Sequence, residues 1–211
     1  MSSEFGYIPE SPEQSFGNNN GIFTPRDIYD LTRANKFTQI GQLEHIITST
    51  ASSSTIDFVD KFSDHNTFFI TLTNLVPSTQ AEFGIKLSND SGSSYETSNY
   101  NFGNQRCFAN GTYEEKKSNS QSSIRLGGDV ETSDSFNGYI FIHNANDKNK
   151  FTHVTHNSSY TGTSGAGGFG SSFGGGVYTV QEIINGIRIG ETTSVSAFTS
   201  GTASLYGFKE F

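Results

Sequence analysis

The residues most able to do chemistry are a glycine run, a group of histidines, one cysteine and scattered carboxylates. Gly165, Gly167 and Gly170 satisfy G-x-G-x-x-G, and Glu191 follows near the ~20-residue spacing of a dinucleotide fingerprint. Ser171-Ser172-Phe173 and three more glycines come next, so no amphipathic helix offers its N-terminus to a pyrophosphate. His143, His153 and His156 lie close in sequence, two of them as H-x-x-H. On a strand, positions three apart face opposite sides, so that pair reads as surface or half-buried polar histidines and not as a metal site. Cys107 has no base signalled nearby and reads as a buried structural thiol. Asp57, Asp60, Asp64, Asp90, Asp129, Glu131 and Asp134 fall mostly in turn-rich stretches without recurrent spacing, which selects no acid and base pair. No catalytic residue, metal or cofactor is expected.

The elements that would position any such residue are strands. Phe68, Ile70 and Leu72 alternate with Phe69, Thr71 and Thr73, and Phe83, Ile85 and Leu87 alternate with Glu82, Gly84 and Lys86. Leu43, His45 and Ile47 alternate with Glu44, Ile46 and Thr48 in the same way. The turn cluster SNDSGSS between Leu87 and Tyr95 predicts a hairpin joining the two runs that flank it. Further strands are expected at 122–126, 138–143, 151–157, 177–183, 186–189 and 203–208, the last a central core strand through Leu205, Tyr206 and Phe208. Residues 162–176, GTSGAGGFGSSFGGG, read as a long loop lying where backbones approach closely. Many short strands with turn-rich loops predict an all-β, jelly-roll-like sandwich over 42–211.

Ahead of it, residues 1–41 read as an extended docking arm with one short helix at about 24–34. Residues 1–21 carry no strand or helix period. Thr24 is the expected N-cap, Pro25 the N1 residue, and Asp27 an acid near the positive helix end. Ile28 and Leu31 supply its apolar stripe, and Phe23 and Ile28 hold the positions of a hydrophobic staple. Tyr7, Ile8, Phe16 and Phe23 complete the expected docking side chains. A helix this short needs a surface to pack on.

Composition narrows the function classes. Only 32% of residues are apolar, yet 19 Phe and 9 Tyr are present, so a thin core must be filled by rings and shared with neighbours. A net charge of −8 with 13 Lys plus Arg speaks against a nucleic-acid surface. No apolar stretch approaches the ~20 residues of a bilayer span, and the N-terminus lacks the basic and apolar regions of a secretory signal, so synthesis in a reducing cytoplasm is expected.

FGYIPESPEQSFGNNNGIFTPRDIYDLT at the start resembles N-terminal segments of small virion proteins of marine bacteriophages, such as cyanophages and pelagiphages. GTASLYGFKEF at the end resembles the LYGI terminus of phage tail and fibre proteins with β-sandwich heads, and FGIKLSNDSGSSYETSNY is similar to their L-R-x-S-x-D-x-G-x-x-Y hairpin. The resemblance implies a virion structural protein, often homotrimeric, located in the phage particle, bound to other virion proteins and sometimes contacting the host. A tail fibre or tail and baseplate appendage is the leading reading, and a capsid decoration protein the alternative. Tyr95, Tyr100, Phe102, Tyr113 and Tyr160 lie among Asn and Ser and are the candidates for stacking on a host surface glycan.

Overall fold

The computed structural model describes residues 14–15, 18–19, 24–33, 43–162, 168–192 and 197–208. It divides into two units, Met1–Gln42 with Phe211, and Leu43–Glu210. Tyr7, Ile8, Phe16 and Phe23 lie outside the described residues.

In the first unit, β1 (Gln14–Ser15) pairs antiparallel with β2 (Asn18–Asn19), a short ribbon where no strand was expected. Helix α1 (Pro25–Arg33) follows the predicted chemistry at its start. The Asp27 amide donates to Thr24 Oγ1 at 3.2 Å, and the Thr24 amide donates back to Asp27 Oδ2 at 2.8 Å. This is a capping box with Asp in the acidic position, and the Thr24 hydroxyl and then the Thr24 amide, both donating to Asp27 Oδ2, hold that carboxyl below its ordinary pKa. Pro25 occupies the first helical position, where its missing N–H costs nothing. Ile28 is exposed and Leu31 half-buried.

The second unit is all β. Its strands are β3 (Leu43–Thr50), β4 (Thr55–Val59), β5 (Thr67–Pro77), β6 (Ala81–Ser88), β7 (Tyr100–Phe108), β8 (Tyr113–Gln121), β9 (Ile124–Val130), β10 (Phe136–His143), β11 (Phe151–Gly162), β12 (Gly168–Gln181), β13 (Gly186–Glu191) and β14 (Phe198–Phe208). All their pairings are antiparallel. One layer runs β3-β14-β5-β10, and the other runs β4-β13-β6-β9. Successive strands of this set pass repeatedly from one layer to the other, which is the winding of a jelly roll. The hairpins β7–β8 and β11–β12 are insertions that widen the first layer in the order β10-β11-β12-β7-β8. At the seam between layers, Gly162 pairs with Val130.

Strand alternation builds the core as the sequence period requires. Phe68, Ile70 and Leu72 of one layer and Phe83, Ile85 and Leu87 of the other are buried, as are Ile140, Ile142, Ile187, Ile189 and Leu205. Aromatic rings fill what a sparse aliphatic set leaves open: Phe83 meets Phe136 edge-on at 5.2 Å and Phe198 at 5.1 Å. The abundant Asn and Asp serve turns and, at Asn74 of β5 and Asp129 of β9, irregular points within strands. Asp60, Asn74, Asn99, Asp129 and Asn144 adopt positive φ of 53–67°, a conformation that short polar side chains tolerate best after glycine.

Four expectations are corrected. The turn after Leu87 does not close a hairpin, because β6 pairs with β9 and β13 while β7 pairs with β12 and β8. Asp90 instead organises this turn as a cross-layer connection, accepting hydrogen bonds from Ser88 Oγ and from the Ser94 amide and hydroxyl. The glycine run is a strand from Gly168 onward, not a loop. Its glycines permit a close fit: a Cβ on Gly175 would lie 2.3 Å from the Val154 carbonyl oxygen, and one on Gly176 would lie 2.6 Å from that of Asn101. Strand β14 is central, between β3 and β5, but only Leu205 of the expected trio enters the core. Tyr206 and Phe208 alternate onto the outer face and remain half-buried. Cys107 is also half-buried, outside the core cluster.

Candidate functional site

The outer face of the larger layer is built from residues that alternate with the core positions. On β5 this puts Phe69 and Thr71 outward, on β10 Tyr139, Phe141 and His143, and on β14 Ser204, Tyr206 and Phe208. Register then sets them side by side: Phe141 opposite Phe69, Phe69 opposite Tyr206, and Tyr206 opposite His45 of β3. The ring centroids of Phe69 lie 4.9 Å from Phe141, 5.9 Å from Tyr139 and 6.0 Å from Tyr206. Phe208 stacks on Phe141 at 6.0 Å, and His45 meets Tyr206 edge-on at 5.2 Å.

This cluster has a neutral surround. Thr71, Ser204 and Thr48 occupy the adjoining rung, with Thr48 Oγ1 and Ser204 Oγ hydrogen-bonded at 2.8 Å. Tyr139 is 42% exposed, and Phe69, Phe141, Tyr206 and Phe208 are half-buried, so the rings cover one another only in part. A continuous aromatic patch of this kind is what protein interfaces use. Farther along the same face stand the exposed rings of Phe173 of β12 and Tyr113 of β8, with the charged Glu115 and Lys117 of β8 on the same side. Gly103 and Gly175 floor a shallow trough of about 410 Å³ that His153 and Thr155 border.

Beneath the inserted hairpins the interior turns polar. Arg106 is 1% exposed and pairs with Glu82, with Glu114 at 3.4 Å and with Asp129 at 3.8 Å. Asn104 donates its amide to the Arg125 carbonyl at 2.7 Å, which leaves its oxygen to accept from His156 Nε2 at 3.0 Å. The neutral His156 is thereby fixed as the Nε2–H tautomer, and burial holds its pKa down to about 4. His156 is buried whereas His153 is exposed, so the H-x-x-H pair does face opposite sides of β11. His153 instead stands opposite His143 across the β10–β11 pair, and burial and that neighbour lower the His143 pKa.

The five stacking candidates are not brought together. Tyr100 at 0%, Tyr160 at 3% and Phe102 at 8% exposure belong to the core, which removes them as surface platforms. Tyr100 accepts the Leu87 amide at 2.8 Å and lies 5.1 Å from Tyr178, so its polar tip is spent on holding the layers together. Tyr113 is exposed on β8. Tyr95 lies in the β6–β7 connection, beneath the Arg188 guanidinium, 3.8 Å from ring centroid to cation. Phe69, Tyr139, Phe141, Tyr206 and Phe208 were not singled out as a site from the sequence, because every strand of this protein alternates and ring position alone does not tell core from outer face. The paired aromatics at 68–69, with a ring on each parity, were the available signal. No protein-family model matches the chain, and neither does any curated protein or solved structure.

Proposed function

We propose that this chain is a structural subunit of a bacteriophage particle, of the tail fibre or tail and baseplate appendage type, docked by its N-terminal arm and assembled as a homotrimer through the aromatic outer face. The observation that carries the reading is the half-exposed cluster around Phe69 on a jelly-roll layer, in a chain whose two ends resemble phage virion proteins. A surface with no charged side chain on its central rungs is where copies of a −8 chain can meet with least repulsion. The Thr24-capped helix and the segment before it supply the contact to other virion proteins, and outward loops face the host surface, including its glycans.

Mass photometry of the purified full chain at micromolar concentration is expected to give a trimer. Phe69→Ser combined with Phe141→Ser and Tyr206→Ser should give a monomer with an unchanged far-UV spectrum, since these side chains lie outside the core. A wild-type monomer, or a triple variant that still assembles, would count against the interface. Immunogold labelling of intact particles tests the location. Label on the tail supports the proposal, label on the shell favours the decoration role, and a particle without the protein overturns both.

A further inference from the structure

The smaller layer carries a cavity on its outer side, bordered by two facing glycines. Gly190 of β13 lies directly opposite Gly84 of β6, one rung beyond the pair Arg188 and Lys86. Thr192 and Thr55 close over these two glycines, and beside them lies a cavity of about 230 Å³. Ser54, Thr55, Ser123 and Thr192 line it as hydroxyl residues, Lys86 and Arg188 as cationic ones, and Glu191 is also part of its wall. A Cβ on Gly84 would lie 2.4 Å from Thr192 Cγ2 and 2.9 Å from the Ile124 carbonyl oxygen, so neither floor nor wall has room for a side chain.

The two cations are differently placed. Arg188 donates through Nε and an η nitrogen to both oxygens of Asp57, at 2.8 and 2.6 Å, and its plane rests on Tyr95. It is oriented and neutralised by its own strand neighbour. Lys86 faces Arg188 directly across the β6–β13 pair, where like charges are unfavourable, and it makes no ion pair among the described residues. Lys86 therefore stands at a hydroxyl-lined cavity with no ion pair of its own among the described residues, in a chain that has only 13 cations against 21 acids. A volume below the ~300–1,000 Å³ of drug-sized pockets suits a single ring with polar substituents.

We infer that this cavity binds one acidic sugar residue, its carboxylate on Lys86 and its ring hydroxyls on Thr55, Ser123 and Thr192. With Arg188 already neutralised by Asp57, one remaining cation matches the single charge of a sugar carboxylate better than a multiply charged inorganic anion. The inference deepens the host-glycan contact in the proposed function and rests on that part alone. Three copies in one particle appendage would add avidity to a weak single-residue contact.

Titration of the full chain with sodium glucuronate, glucose and inorganic phosphate, followed by calorimetry, tests it. Glucuronate is expected to bind saturably in the millimolar range, with glucose and phosphate at least tenfold weaker. Lys86→Met should weaken glucuronate at least tenfold, and Ser123→Ala severalfold, each with an unchanged melting temperature. Equal binding of glucose, binding of phosphate in preference to glucuronate, no binding of any, or full affinity in Lys86→Met would each overturn the inference. Particle labelling and the oligomeric state would be unaffected by that failure, so the structural reading is judged separately.

Discussion

His156 shows how burial turns one side chain into a sensor of stability. Its folded pKa is depressed to about 4 from 6.5 by desolvation. Below pH 6.5 the unfolded chain binds a proton that the native interior refuses, so stability is full above that pH and falls as pH drops towards about 4. The shift corresponds to ~3 kcal/mol over the whole window, about 2 kcal/mol of it by pH 5. Urea unfolding at pH 7.5 and pH 5 should show this loss, and His156→Gln should flatten most of it. An equal loss in the variant would mean that other groups govern the acid limb. The position of His156 on a strand was legible from its neighbours. Its burial was not, because that follows from Asn104 and Arg125 on other strands meeting it.

Among the elements, β12 is where sequence reasoning and structure part most clearly. Glycine carries little strand preference, and 162–176 offers no apolar alternation from which to infer one. The strand exists because β11 and β7 supply hydrogen-bonding partners on both sides, and absent side chains let it lie between them. Gly175→Val is accordingly expected to destabilise by ~2–4 kcal/mol, as a forced backbone displacement does. Gly103→Ser on the neighbouring strand, where a Cβ would meet nothing within 4 Å, should stay within ~0.5 kcal/mol of wild type. Chemical denaturation of both variants measures the contrast, and similar costs at the two sites would refute the close-approach account. Strand β8, YEEKKSNSQ, was missed for a related reason: its residues are polar, and only pairing with β7 makes it a strand. Helix α1 was legible nearly to the residue, because its start depends on Thr24, Pro25 and Asp27 alone.

At the scale of the whole molecule, the aromatic face ties stability to assembly. A partner that binds only the folded chain stabilises it by mass action, so the melting temperature should rise with protein concentration, by roughly 4–7 °C over a hundredfold range. Differential scanning fluorimetry can follow this, with the Phe69, Phe141 and Tyr206 triple variant as control. A concentration-independent melting temperature in the wild type would argue against self-association through this face. The cationic cavity belongs to the other layer, so both surfaces can operate in one subunit.

Local chemistry determined a good deal of this protein before any contact was known. Alternation set which of Phe68, Ile70, Leu72, Phe83, Ile85 and Leu87 share a face, and the cap residues set the helix start. The all-β class followed from the same local terms. Which strand neighbours which, which parity faces inward on β14, and the meeting of Lys86, Arg188 and two glycines at one cavity were decided only by tertiary structure. Pairing joins residues far apart in the chain, 131 positions for Arg188 and Asp57 and 156 for Ser204 and Thr48, and no local preference encodes such a partner.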